Sequence, residues 1–121
     1  MAKFDIFNHE DDVREYAAGE TIFEQGSIGD LMYAVLEGEI ELYFEDAQFD
    51  TLVAGEIFGE MALLDQTPRS ASARAKTDVK VAAINKDRFL WLVQQTPMFA
   101  LQVMGVMADR VRRRTEDAAG S

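Results

Sequence analysis

Between Tyr16 and Ile84 short apolar runs alternate with turn signals, and beyond Ile84 the apolar spacing widens to that of a helix. Thr21-Ile22-Phe23, Leu31 to Leu36 and Glu39 to Phe44 are each the length of one strand. In Glu39-Ile40-Glu41-Leu42-Tyr43-Phe44 a period of two puts Ile40, Leu42 and Phe44 on one face, which predicts a strand buried on one side only. Turns are signalled by Ala18-Gly19-Glu20, Gln25-Gly26-Ser27, Gly29-Asp30, Glu37-Gly38-Glu39, Glu45-Asp46 and Ala54-Gly55-Glu56, so Gly19, Gly26, Gly29, Gly38 and Gly55 read as turn formers. Strands this short, with glycine turns every several residues, predict an antiparallel barrel, roll or sandwich.

Asn85 is placed to cap a helix through Val93, with Phe89, Leu92 and Val93 on one face. Thr96-Pro97 ends that helix and opens another, since proline suits the first helical position. This last helix, from Pro97 to about Glu116, is apolar over much of its circumference, at Phe99, Leu101, Val103, Met104, Val106, Met107 and Val111. Lys3 to Tyr16 is polar apart from Phe4, Ile6 and Phe7 and holds at most a short helix or turn. The expected class is therefore α+β: an antiparallel barrel, roll or sandwich carrying a short internal helix and two C-terminal helices. Its parts are a short segment over 1–15, the β unit over 16–84 and the helices over 85–116, with Ala118 to Ser121 frayed.

With 121 residues, 48% of them hydrophobic, the chain builds one domain around one core. A net charge of −10 disfavours general attraction to nucleic acid or an anionic membrane, so an anionic ligand has to be captured by local chemistry. Zero cysteines removes disulfides and thiolate chemistry and is compatible with a cytoplasmic setting. The N-terminus lacks a secretory pattern, and no window approaches the roughly 18 apolar residues of a membrane helix. His9 is the sole histidine, which argues against a metal site of cupin type and against a catalytic triad. The chain does not read as an enzyme and calls for no cofactor.

The chemistry concentrates between Gly55 and Ala71. Gly59 before Glu60, Met61, Ala62 and Leu63 predicts one helical turn inside the β unit, its glycine letting backbone approach a ligand and its first amides pointing outward as an anion site. Arg69, returning after Thr67-Pro68, offers a guanidinium fork that fits two phosphate oxygens. Glu60 can only accept hydrogen bonds, as from a ribose hydroxyl. The plainer alternative for Arg69 is a structural pairing with Asp65 or Glu60.

Phe58-Gly59-Glu60-Met61-Ala62-Leu63-Leu64 followed by Pro68-Arg69-Ser70-Ala71 closely resembles the phosphate-binding cassette of cyclic-nucleotide-binding domains, spanning 55–71 here. Gly19-Glu20-x-Ile22, Gln25-Gly26, Gly29-Asp30 and Gly38-Glu39 resemble that family's β-roll turns, so the likeness covers roughly Tyr16 to Arg112. The resemblance implies an antiparallel β-roll, jelly-roll-like, with the cyclic phosphate lying against the cassette, Glu60 meeting the ribose 2′-hydroxyl and Arg69 the phosphate. Backbone amides near Gly59, Met61 and Ala62 and at Ser70 take the remaining oxygens. Ser70 adds a hydroxyl donor and resembles the bacterial cAMP-binding type, which favours cAMP over cGMP. Arg110 stands at the separation from Arg69 at which some bacterial members cap the purine, its plainer reading being one of the solvated cluster Arg110, Arg112, Arg113 and Arg114. Phe58, Leu52 and Val53 are further candidates for base or sugar contact, with core packing as the alternative.

These features predict a stand-alone sensor whose last helix closes over the nucleotide. Only Met1 to Arg14 precedes the roll, where the family usually carries a longer helical segment, and the receiver has no visible output segment. The expected partners are a cyclic nucleotide and an unidentified protein, or a second copy through the last helix. The alternative is an interaction module with a vestigial pocket that acts through that apolar helix.

Overall fold

A computed structural model describes residues 6–64 and 67–119, with side chains to residue 112. Phe4, Asp65, Gln66, the side chains of Arg113 and Arg114, and the tail after Ala119 lie outside the described residues, as does any fraying of that tail. The chain divides after Lys86 into two compact units.

Among the described residues the first unit holds eight strands: β1 (Val13–Tyr16), β2 (Thr21–Phe23), β3 (Met32–Glu37), β4 (Ile40–Phe44), β5 (Ala47–Leu52), β6 (Ile57–Phe58), β7 (Ser72–Ala75) and β8 (Val79–Ile84). They form two four-stranded antiparallel sheets, in the orders β1-β8-β3-β6 and β2-β7-β4-β5. The core lies between them. Tyr33, Val35, Phe58, Val79, Val81 and Ala83 come from the first sheet, and Ile40, Leu42, Leu52, Ala73 and Ala75 from the second. Each strand supplies alternate residues to this layer because successive side chains point to opposite faces. Met32, Ala34, Ala82 and Ile84, on the other face of the first sheet, are buried as well. A 3-10 turn, Ile6–His9, packs near β3 and buries Phe7 completely.

The roll starts at Val13 rather than Tyr16. β1 pairs with β8 from Val13 opposite Ala82 to Tyr16 opposite Val79, yet Val13, Arg14 and Glu15 are exposed. An edge strand with little burial carries no apolar alternation to read. The expected face of β4 holds for Ile40 and Leu42 but not for Phe44, which reaches the turn at Glu45-Asp46 and is exposed.

In the second unit, α1 (Lys86–Gln95) follows Asn85 and α2 (Met98–Ala119) follows Thr96-Pro97. Phe99 and Ala100 donate backbone hydrogen bonds to Thr96 O and Pro97 O, so the proline sits in the opening turn as its missing N–H allows. Leu92 is buried with Phe89 and Val93 partly so, on the face the periodicity indicated, and the Phe89 ring packs on Phe99 with centroids 5.3 Å apart. On α2, Phe99, Val103 and Val106 are buried, whereas Met98, Leu101, Met104 and Val111 are exposed. The broad apolar surface of this helix thus has one covered and one uncovered stripe.

Candidate functional site

The site is built where β6 ends. Gly59 takes the left-handed conformation, φ 74° and ψ 15°, and turns the chain from Phe58 directly into a 3-10 helix, Glu60–Leu63. A residue with a Cβ resists that conformation, which is the local reason for glycine here. No side chain caps this helix. Ala62 N–H, expected to be free for a ligand, instead donates to Gly59 O at 3.2 Å. The cause is the tighter i to i+3 ladder, which already engages the third amide of the helix. Glu60 opens the helix with its carboxylate buried, whereas Met61 is half-exposed.

Arg69 is brought opposite this turn by its own backbone. Its N–H donates to Ser27 O at 2.7 Å and its carbonyl accepts from Gly26 N–H at 2.8 Å, so it pairs with the turn between β2 and β3. The side chain then runs inward and is only 9% exposed. Nη1 donates to Gly59 O at 3.1 Å and Nη2 to Leu31 O at 2.8 Å. Cζ lies 4.1 Å from the centroid of the Phe23 ring, within cation–π range. Burial pushes the guanidinium below the ordinary arginine value, opposed by Coulomb attraction to Tyr33, Asp30 and Glu60. It stays charged, because arginine starts far above neutral pH.

Nε of Arg69 is buried and has no hydrogen-bond partner among the described residues. The two acceptors that hold the side chain are neutral carbonyls, and Asp65, one of the expected alternative partners, lies outside the described residues. A buried cation whose hydrogen bonds among the described residues go to carbonyls, with its buried Nε–H unused there, is arranged to receive an anion.

Phe58, a candidate contact, is 1% exposed and stacks on Tyr33 with centroids 5.2 Å apart, so it belongs to the core. Leu52 is also fully buried, while Val53 is partly buried and donates its N–H to Glu56 Oε1. Ser70 follows Arg69 at the surface. Arg110 lies on α2 in the helical unit, with its side chain partly buried. Gly29 corrects the reading of the glycines. Gly19, Gly26, Gly38 and Gly55 have the positive φ of turn formers, but Gly29 does not, and it lies against Arg69. Phe23, Gly29 and Leu31, all neighbours of the Arg69 side chain, read in the sequence only as strand and turn positions because they stand 38 to 46 positions away from it.

Among the described residues no group of three His, Asp or Glu side chains could hold a metal ion, and no helix is long and apolar enough to cross a membrane.

The chain is 46% identical over 80 residues to a cAMP-dependent protein kinase regulatory subunit of Aspergillus fumigatus, covering 64% of this chain and 19% of that one. It is 36% identical over 104 residues to the Cyclic AMP receptor protein of Thermus thermophilus, covering 82% and 48%. It therefore spans less than half the length of these relatives. A solved structure described as "A cyclic-GMP-dependent signalling pathway regulates bacterial phytopathogenesis" superposes with a TM-score of 0.80 at 34% identity, covering 93% of this chain and 98% of that one. The family model for the cyclic nucleotide-binding domain matches residues 13–96, most of the chain and all of the β unit from β1 onward. With that match and the glycine turn set against a buried arginine, the chain belongs to the cyclic nucleotide-binding domain family.

Proposed function

We propose that this domain is a regulatory sensor that binds cAMP in preference to cGMP and is not an enzyme. The observation that carries the reading is the buried Arg69 guanidinium, held by two carbonyls and keeping an Nε with no partner among the described residues. A cyclic phosphate supplies the anion this group lacks. Glu60 accepts from the ribose 2′-hydroxyl, and the amides at Gly59 and Met61, with Ser70 N–H and its hydroxyl, take the remaining phosphate oxygens. The preference for cAMP rests on Ser70. α2, with Arg110 over the purine, closes on the ligand, and the nucleotide shifts the population toward that state by the contacts it gains there. The working compartment is the cytoplasm.

Calorimetric titration with cAMP and cGMP tests the reading. Arg69→Ala should weaken cAMP by about a hundredfold, the value of two charge-assisted hydrogen bonds, and Glu60→Ala should weaken it by about tenfold or more. Affinity unchanged by both substitutions overturns the proposal.

A second reading, an interaction module, is favoured by the uncovered stripe of Met98, Leu101, Met104 and Val111 on α2. Equilibrium dialysis with labelled cAMP and cGMP separates the two, because a vestigial pocket retains neither.

A further inference from the structure

Gly29 lies beside the guanidinium with no side chain of its own. A Cβ built there would stand 2.6 Å from Arg69 Nη2, 3.0 Å from Nε and 3.1 Å from Cζ. These three atoms define one edge of the fork, and it is the edge that carries the buried Nε, unpaired among the described residues. On the opposite side a Cβ at Gly59 would meet Nη1 at 2.7 Å. The guanidinium is therefore bracketed by two glycines, and only one of them is required by the backbone. Gly59 has φ 74°, whereas Gly29 is not in the left-handed region, so alanine at 29 would cost nothing in backbone strain.

The Nε–Nη2 edge is also the one that suits bidentate binding. Nη2 spends one N–H on Leu31 O and keeps another, and Nε–H is unused among the described residues. A methyl group at position 29 would cap that edge or push the side chain off Leu31 O and Gly59 O. We infer that Gly29 is a positioning residue of the phosphate site: its missing side chain lets the guanidinium of Arg69 seat against the backbone there while Nη1 reaches Gly59 O and Nη2 reaches Leu31 O, the placement in which it meets the anion. This inference rests on the reading of the site as a cyclic-nucleotide pocket.

The test uses the wild-type chain, Gly29→Ala, Arg69→Ala and the double variant, each titrated with cAMP by calorimetry at a temperature where it is folded and each melted without ligand. Gly29→Ala should weaken cAMP by about tenfold or more, the value of one charge-assisted hydrogen bond. It should also lower the melting temperature beside Arg69, and most of that drop should vanish in the Arg69→Ala background, where the methyl group has room. A merely structural glycine would give equal drops in both backgrounds. That result, or a Gly29→Ala protein that binds cAMP as the wild type does, overturns the inference while leaving the functional reading intact. A wild-type chain that binds neither cAMP nor cGMP overturns the functional reading, and the phosphate role of Gly29 falls with it.

Discussion

Arg69 lies over the face of Phe23, with Cζ 4.1 Å from the ring centroid, and the ring in turn packs near Tyr33 and Phe58 at centroid distances of 6.0 and 5.9 Å. The cation is thereby seated on an aromatic cluster continuous with the core, which fixes its height above the sheet before any ligand arrives. Phe23→Leu keeps most of the apolar volume and removes the π face. A cation–π contact of this kind contributes about 0.5–2 kcal/mol, so cAMP affinity should fall several-fold, up to roughly thirtyfold. Titration of a folded Phe23→Leu protein checks this, and wild-type affinity would show the ring to be idle.

Arg69→Lys keeps the charge and loses the fork. A single ammonium cannot reach Gly59 O and Leu31 O as the two ends of a planar guanidinium do, and it leaves a carbonyl short of a donor. Stability should drop by about 1–3 kcal/mol in urea denaturation, and cAMP affinity should fall along with it. A lysine protein as stable as the wild type would mean that the carbonyl bonds contribute little.

Gly38 and Gly19 share a positive φ, 87° and 90°, but not their surroundings. A Cβ at Gly38 would overlap the Asp78 carbonyl oxygen and crowd Val79 and Thr77, whereas a Cβ at Gly19 meets nothing within 4 Å. Gly19→Ala should therefore cost only the backbone term, about 1–2 kcal/mol, and Gly38→Ala clearly more. Equal midpoints in denaturant would contradict the difference in packing.

Tyr33 carries an alkaline signature. Desolvation raises its phenol above the ordinary tyrosine value, with Coulomb repulsion from Tyr16 in the same direction. A raised folded-state pKa means that the native protein holds the proton more tightly than the unfolded chain. The resulting stability is fully present below about pH 10 and is lost as pH rises through the folded value. Tyr33→Phe should flatten that part of the decline when melting temperature is followed from pH 9 upward. An identical alkaline decline in both proteins would assign it to other groups.

How far the sequence revealed all this depended on what each residue contributes. The cassette was legible because its parts are local: the left-handed Gly59, the short helix after it and the return at Arg69 lie within a dozen positions. The two helices were legible through their flanking residues and period, with α2 running to Ala119, beyond the expected Glu116. β7 carried a weaker signal, since Ser72-Ala73-Arg74-Ala75 has low strand propensity and owes its place to pairing with β2 and β4. The supports of Arg69 were hidden for another reason. Leu31 acts through its carbonyl, a group every residue has, and Gly29 acts through an absence that resembles a turn signal until the arginine is beside it.

The segment from Gly26 to Leu31 is fastened at both ends by one residue: the Arg69 backbone holds Gly26 and Ser27, and its side chain holds Leu31. Surface connections ordinarily tolerate added or deleted residues, but this one works as a ruler of fixed length. One extra residue after Ile28 would leave both grips intact only if the loop buckled outward, carrying Gly29 off the guanidinium. Length variation in this stretch should therefore be far less permissible than at Glu45-Asp46, where the hairpin between β4 and β5 simply turns around.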